Sequence, residues 1–344
     1  VFHHLLRIGA LPADACLDEP IVIREILQRN VAHRVERPDG SLFVKQPTDD
    51  ASSRGQAAWM EATLYWLAAN DPAFAPLQRF LPRFVHYDMP RRVLVLELVE
   101  HAVDLHAHAH RSSRAPAAVL AHVGEAFALL HGPIAARVRQ SRGRALFRPM
   151  PPWLLTLLDV SACTFQARTR AGAEMLAHVR RTSALAAPLD VIARLWSPRT
   201  IVHGDTKWTN VLVVSTPGGS DETKVIDWEL AGIGDPAWDL AGFACGAAAF
   251  AATRAPGVQP TAAEIAAGFM PLWNRYVEVA SFDALAARTM LELTIRFMGA
   301  RLVQFCLESV DQRGGVDSHV PLLLDLAVWA LDRPGAVAAA LVAV

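Results

Sequence analysis

Residues 201–214 read Ile-Val-His-Gly-Asp-Thr-Lys-Trp-Thr-Asn-Val-Leu-Val-Val. An apolar run ends in His203-Gly204-Asp205, a short polar stretch follows, and Asn210 opens a second apolar run. β-branched runs bounded by turn residues predict strands over 200–204 and 211–214 with a loop between them. A turn-rich segment, Ser-Thr-Pro-Gly-Gly-Ser-Asp-Glu-Thr, leads on to Lys224-Val225-Ile226-Asp227. Two β runs around Gly218-Gly219 predict an antiparallel hairpin with Asn210 at the start of one strand and Asp227 at the end of its partner. A carboxamide and a carboxylate then converge, and oxygen ligands of this kind suit Mg2+. Asp205, on the loop just before, is left to accept a proton from an attacking hydroxyl. A base in H-x-D-x-x-x-x-N, the Asn on metal and a later Asp on metal make up the phosphoryl-transfer template.

The matching residues are His203–Asn210 (HGDTKWTN) and Val225–Gly242 (VIDWELAGIGDPAWDLAG). They resemble the aminoglycoside phosphotransferase / choline kinase superfamily, with its protein-kinase-like fold. There the loop is HGDxxxxN, IDWE stands where protein kinases carry DFG, and GDPxxDLA follows. Three motifs in order form a specific signal where any one alone is weak. Upstream, Lys45 fits the superfamily's strand lysine that holds the nucleotide phosphates, and Glu61 fits its ion-pair partner. Leu94–Glu100 resembles the hinge, where the backbone around Glu97 and Val99 would hydrogen-bond adenine. Gly124–His131 resembles the helix ending in Leu-His ahead of the substrate region. The likeness spans residues from about 20 to 245, and the later helices fit only in composition.

The resemblance implies an α+β, two-lobed fold: a small β-rich lobe over 1–100, with its hinge near 97–100, and a larger, mainly helical lobe over 101–344. It implies ATP (or another nucleoside triphosphate) and Mg2+ as cofactors. The γ-phosphoryl group would pass to an alcohol, with Asp205 as the base, Asn210 and Asp227 on the metal, and Lys45, positioned by Glu61, on the phosphates. Asp239 is implied to brace the catalytic loop, and His203 is expected in its scaffold. Asp235-Pro236 reads on its own as a helix N-cap with proline at N1. One departure concerns the phosphate-covering turn, Leu27–His33, which has no glycine. Gln28 and Asn30 are the residues there that would offer side-chain amides to phosphate, since glycine is what permits close backbone approach.

The rest of the chain agrees with a large folded protein. It has 344 residues, 52% of them hydrophobic, and a formal net charge of -1. That length suggests more than one lobe, and the composition is unlike a disordered chain. The balanced charge gives no sign of a nucleic-acid partner. Cys16, Cys163, Cys245 and Cys306 are far apart, with neither CxxC nor metal-ligand spacing, which favours a reduced, cytoplasmic setting. The first sixteen residues make a poor signal peptide, and the apolar stretch at 240–252 is too short to span a bilayer, so no membrane is expected. Strands are expected at 21–27, 31–37, 41–47, 82–88 and 92–100, with a turn at Pro38-Asp39-Gly40. A helix is expected over 52–69, capped by Ser52 or Ser53, with Ala57, Met60, Leu64 and Leu67 as its apolar stripe. Helical patterns dominate from residue 116.

The acceptor is the open question. Between residues 126 and 189 stand nine arginines (137, 139, 142, 144, 148, 168, 170, 180 and 181) against two acids, Asp159 and Glu174. In the superfamily this region contributes to the acceptor site. A polycationic aminoglycoside would want an acidic cleft, so Arg142 and Arg144 are assigned to an anionic acceptor, small molecule or peptide. The alternative is a solvated basic face. Trp208 either packs on the acceptor or fills the core of its loop. Asp104, His106 and His110 stand at helical spacing but fall short of a zinc site, and are expected on an exposed segment. Three readings follow: a kinase of a small molecule or of Ser/Thr in a lanthipeptide-type precursor, working beside a partner biosynthetic enzyme; an aminoglycoside-type resistance phosphotransferase; and a pseudokinase scaffold.

Overall fold

The computed structural model of the chain describes residues 1–14, 17, 20–27, 31–47, 52–215 and 221–344, leaving aside the side chains of 27, 52–54, 142 and 144. The phosphate-turn residues Gln28 and Asn30, the Gly218-Gly219 turn, the Ser52/Ser53 cap and the side chains of Arg142 and Arg144 lie outside the described residues. The chain forms two compact units. One comprises Val1–Val103 with Val211–Ala231, the other Asp104–Asn210 with Gly232–Val344.

The first unit is built on a five-stranded antiparallel sheet, in spatial order Val22–Leu27, Val31–Glu36, Leu42–Gln46, Val93–Glu97 and Phe84–Asp88. Leu42–Gln46 is the middle strand, and Lys45 is paired with Ala32 on one side and Leu94 on the other. Side chains alternate across a strand, so Leu42 and Val44 face away from Lys45. They join Val35, Val93 and Val95 in a buried cluster closed by Leu5 and Leu11. Each such side chain contributes about 1.5–3 kcal/mol on burial. Leu5 belongs to a helix, Phe2–Arg7, that carries no clear helical signal in the sequence. The helix Ser52–Asn70 buries Met60, Leu64 and Leu67 as expected, together with Tyr65 and the acidic Glu61.

The hairpin of this unit pairs Val211–Val214 with Glu222–Val225, in register from Val211↔Val225 to Val214↔Glu222. The second strand therefore ends two residues before Asp227, whereas the sequence placed Asp227 at its end. Asp227 has φ 67° and ψ 55°, in the left-handed region, and turns the chain into a short 3-10 segment, Trp228–Leu230.

The second unit is mainly helical. Its small β element pairs Thr200–Val202 with Gly232–Gly234, a partner strand that two glycines hid from sequence reading. Pro236–Arg254 is buried on nearly all sides, so the apolar 240–252 stretch is a core helix. By length and composition Ala117–Arg139 could also cross a membrane. Its Val119, Leu120, Val123 and Phe127 are nonetheless 0% exposed, and it packs as a core helix against Ala262–Ala280.

Candidate active site

In the first unit the middle strand, the helix and the hairpin bring four charged groups together. Lys45 Nζ lies 2.8 Å from Glu61 Oε2, 2.7 Å from Asp227 Oδ1 and 3.4 Å from Glu229 Oε2. Carboxylate oxygens of the three acids lie within 4.8 Å of one another. Burial opposes the Lys45 charge, but the three carboxylates outweigh it and raise its pKa, so the ammonium is secure. Burial likewise pushes Glu61 up, to about 7, against the pull of Lys45. Asp227 and Glu229 add to the effect of burial, since each carboxylate disfavours the charge of the next. Asp227 holds its place with left-handed backbone, which costs a non-glycine residue about 1–2 kcal/mol and is typical of functional sites. The donor set is all hard oxygen and fits Mg2+, with Asp227 and Glu229 as the carboxylates of this unit able to hold it. Glu229 went unassigned in the sequence, although the acid of the Trp-Glu pair after Asp227 was the available signal. Glu97 and Val99 lie at and just past the end of the strand Val93–Glu97, whose next residue, Leu98, donates its N–H to Ser41 O at 2.9 Å.

In the second unit the loop His203–Asn210 is held from several sides. The buried Asp239 carboxylate accepts the N–H of His203 at 2.7 Å and of Gly204 at 2.9 Å, and lies 3.2 Å from His131 Nε2. Thr206 Oγ1 donates to Asp239 O at 2.7 Å. Asp239 is 0% exposed, and these bonds hold the loop backbone. His203 is equally buried, and its Nδ1 accepts from Asp205 N at 3.3 Å, a scaffold role. Asp235 caps the helix Pro236–Arg254, accepting from Ala237 N at 3.0 Å. Asn210 Nδ2 donates to Asp205 O at 2.9 Å, which leaves its amide oxygen as the atom suited to a cation.

The Asp205 carboxylate pairs with Lys207 at 2.7 Å. Burial pushes its pKa up, but Lys207 and Arg301 outweigh burial and hold it below the usual carboxylate range. Asp205 is therefore an anion at neutral pH. It borders a cavity of about 250 Å3 wholly within the second unit. The other charged groups of the lining are Lys207, Arg301, Glu308 and Arg313, and His106 and His319 also border it.

Trp208 lines the cavity but is 2% exposed, and its Nε1 donates to Phe243 O at 3.2 Å. It is chiefly a wedge seating the loop. His106 is half-buried and packs edge-on against His110 at 4.5 Å between ring centroids, contrary to the exposed segment expected, because the helix Leu105–Ser112 turns it towards the cavity. None of the arginines of 137–181 with a described side chain lines this cavity. Arg168 pairs with Asp311 at 3.0 Å, Arg170 with Glu174 at 2.7 Å, and Arg139 and Arg180 donate to backbone carbonyls of Arg199 and Leu157.

With this geometry in place, comparison with known proteins is decisive. The model of the phosphotransferase enzyme family matches residues 24–278. The chain belongs to that family. This phosphotransferase acts on an alcohol acceptor. Its fold is similar to that of a choline/ethanolamine kinase family protein from Mesorhizobium loti, with TM-score 0.55 and 16% identity over 99% of this chain and 98% of that one. It is also similar to Plasmodium vivax ethanolamine kinase, with TM-score 0.58 and 12% identity over 95% and 86%. These likenesses establish the kinase-like α+β fold of the phosphotransferase. No curated protein sequence matches it.

Proposed function

We propose that this phosphotransferase is an ATP- and Mg2+-dependent kinase of a compact small-molecule alcohol. The observation that carries the reading is an ionised Asp205 on a braced loop, bordering a cavity of about 250 Å3. Asp205 orients the acceptor hydroxyl and takes its proton as the oxygen bonds to the γ-phosphorus and the bond from that phosphorus to the bridging oxygen breaks, releasing ADP. Lys45, held by Glu61, meets the nucleotide phosphates, and Glu97 and Val99 supply backbone contacts to the base. Asn210 and Asp227, with Glu229 beside Asp227, hold the metal. When bound, Mg2+ offsets the charge that develops on the transferring phosphoryl group. Transfer of this kind is mostly positioning and charge stabilisation, which suits a site whose lysine and loop are both pinned.

The cavity favours a neutral or anionic acceptor over a polycation. Its lining carries three cations, Lys207, Arg301 and Arg313, against two acids, Asp205 and Glu308. The complete set of Lys45, Asp205, Asn210 and Asp227 speaks for turnover and against a scaffold role. A setting in the cytoplasm, where ATP is plentiful, accords with three free thiols among the described cysteines.

The test is labelled ATP and Mg2+ with a panel of hydroxy acids, amino alcohols, sugars, acidic Ser/Thr peptides and aminoglycosides, read as product mass. Transfer to a compact alcohol is expected, lowered about 10²–10⁴-fold by Asp205→Asn. Transfer to aminoglycosides alone would return the enzyme to the antibiotic class. Transfer to peptides alone would move it to the precursor-peptide class. ATP turnover unchanged in Asp205→Asn would remove the base from the mechanism.

A further inference from the structure

We propose that Arg301 is a positioning residue for phosphoryl transfer: from the helix Ala284–Arg313 it fixes the Thr206 carbonyl and thereby the direction of the Asp205 carboxylate. The inference rests on the reading of Asp205 as the group that orients the acceptor hydroxyl.

Three consecutive loop carbonyls are bound by side chains. Gly204 O accepts from Trp238 Nε1 at 3.3 Å, Asp205 O from Asn210 Nδ2 at 2.9 Å, and Thr206 O from Arg301 Nη2 at 2.5 Å. The groups on either side of Asp205 are themselves stacked, with the Arg301 guanidinium 5.1 Å from the Trp238 ring centroid. The carbonyls of the two residues flanking Asp205 are thus bound by the two members of one cation–π pair, an interaction that strengthens on desolvation. Arg301 is 7% exposed and forms no ion pair among the described residues. A buried guanidinium is costly unless matched by partners. Here its partners are a loop carbonyl, the Gln304 amide oxygen at 3.2 Å and an aromatic face. Core packing alone would be served by an apolar side chain. A charged donor on a neutral carbonyl makes a shorter, stronger bond than a neutral one, which is what a loop needs when its carboxylate must hold one direction.

The bond pattern continues into the cavity wall. Gln304 Nε2 donates to Glu308 Oε1 at 2.8 Å, and Glu308 also accepts from Trp153 Nε1 at 3.3 Å. Arg301, Gln304 and Glu308 stand on successive turns of one helix, so the face that borders the cavity also sets the loop.

The experiment compares Arg301→Met, Arg301→Lys and Asp205→Asn with the parent, using Mg-ATP with water as acceptor, and follows amide hydrogen exchange at 203–210. Arg301→Met should lower kcat about 10–100-fold with KM for ATP within about twofold, since small misplacement of reacting groups costs rates of this order. Exchange should rise at Thr206 and Lys207 while the rest of the helix Ala284–Arg313 stays protected. Arg301→Lys keeps a charged donor but lacks the planar fork, and should recover part of the rate. Exchange rising along the whole helix with Tm and kcat falling together would show a merely structural role and overturn the proposal. Should Arg301→Met not fold, Arg301→Lys decides: wild-type kcat with wild-type exchange at Thr206 overturns it. A slow Asp205→Asn beside a fast Arg301→Met sinks this inference alone, whereas a fast Asp205→Asn sinks the reading of the base.

Discussion

Gly242 offers the sharpest perturbation of the loop. A Cβ built there would lie 2.1 Å from Thr206 Oγ1, 2.3 Å from Thr206 O and 3.1 Å from Arg301 Nη2. Real Cβ contacts essentially never fall below 3.0 Å, so Gly242→Ala requires the loop to retreat by roughly 1 Å. A rotamer change could relieve the hydroxyl contact, but the carbonyl is main chain and has no such freedom. Overpacking of this kind costs about 1–3 kcal/mol. Losing the bond from Thr206 Oγ1 to Asp239 O adds about 1 kcal/mol. The better helix propensity of alanine returns about 1 kcal/mol at most. The net loss is about 1–3 kcal/mol, or roughly 2–12 °C in Tm for a unit of this size. The rate should suffer more than stability, because Thr206 follows Asp205 directly and a 1 Å displacement costs about 10²-fold. Thermal unfolding and Mg-ATP turnover measured on the same preparation check both. Gly132→Ala is the control, since nothing lies within 4 Å of its Cβ. A Gly242→Ala enzyme with parental Tm and parental turnover would refute the close-packed loop, and with it the claim that loop position governs rate.

Two further outcomes test the ion clusters. Lys45→Met removes the cation that Glu61, Asp227 and Glu229 share, so stability should fall by about 3–5 kcal/mol, and Mg2+ titrated without nucleotide should raise Tm more than in the parent; equal Mg2+ responses would contradict the acid cluster. Asp311, 2% exposed, accepts from the N–H of Arg168 and Thr169 and from the Arg168 guanidinium; burial opposes its charge, but these bonds hold its pKa below 3.8. A depressed folded-state pKa contributes stability that is present above the unfolded value and lost as pH falls through the folded one, so urea unfolding followed below about pH 4 should show a slope that Asp311→Asn flattens, and an identical slope in the variant would refute the assignment.

The legible part of the site was the part compressed along the chain. His203, Asp205 and Asn210 fall within eight residues, and Lys45 and Glu61 are 16 apart, joined by one helix whose period is readable. Asp239 came with a motif at fixed distance. Arg301 contacts Thr206 across 95 residues, in a helix where an arginine among apolar neighbours resembles any other. Gly242 stood inside a quoted motif, yet nothing local says that a mid-helix glycine is needed for a loop to press against. Asp227 was assigned to a strand end because it closes the β run Lys224-Val225-Ile226-Asp227; non-glycine residues seldom take positive φ, and tertiary context overrides that preference here.

The arginine-rich stretch shows why charge along a chain is a poor guide to charge in a site. Successive residues of a helix point in different directions, so a run of like charge is spread over several faces, and four of these arginines meet acceptors outside the cavity. Arg170 meets Glu174 one turn on, Arg168 meets an acid 143 residues away, and Arg139 and Arg180 close on carbonyls. Among the described residues, the cavity beside Asp205 takes its cations from elsewhere: Lys207 from the loop itself, Arg301 and Arg313 from the helix Ala284–Arg313, against Glu308 of the same helix. The sequence assigned an anionic acceptor to Arg142 and Arg144; the proposal of a neutral or anionic acceptor rests instead on Lys207, Arg301 and Arg313. That substitution has a consequence for specificity. Arg301 is engaged by Thr206 and Gln304, and Lys207 by Asp205, which leaves Arg313, paired with Asp317 near the solvent, as the cation with most freedom to meet an acceptor's negative group. The acceptor proposed for this site would then carry its hydroxyl at one end and an anionic group at the other.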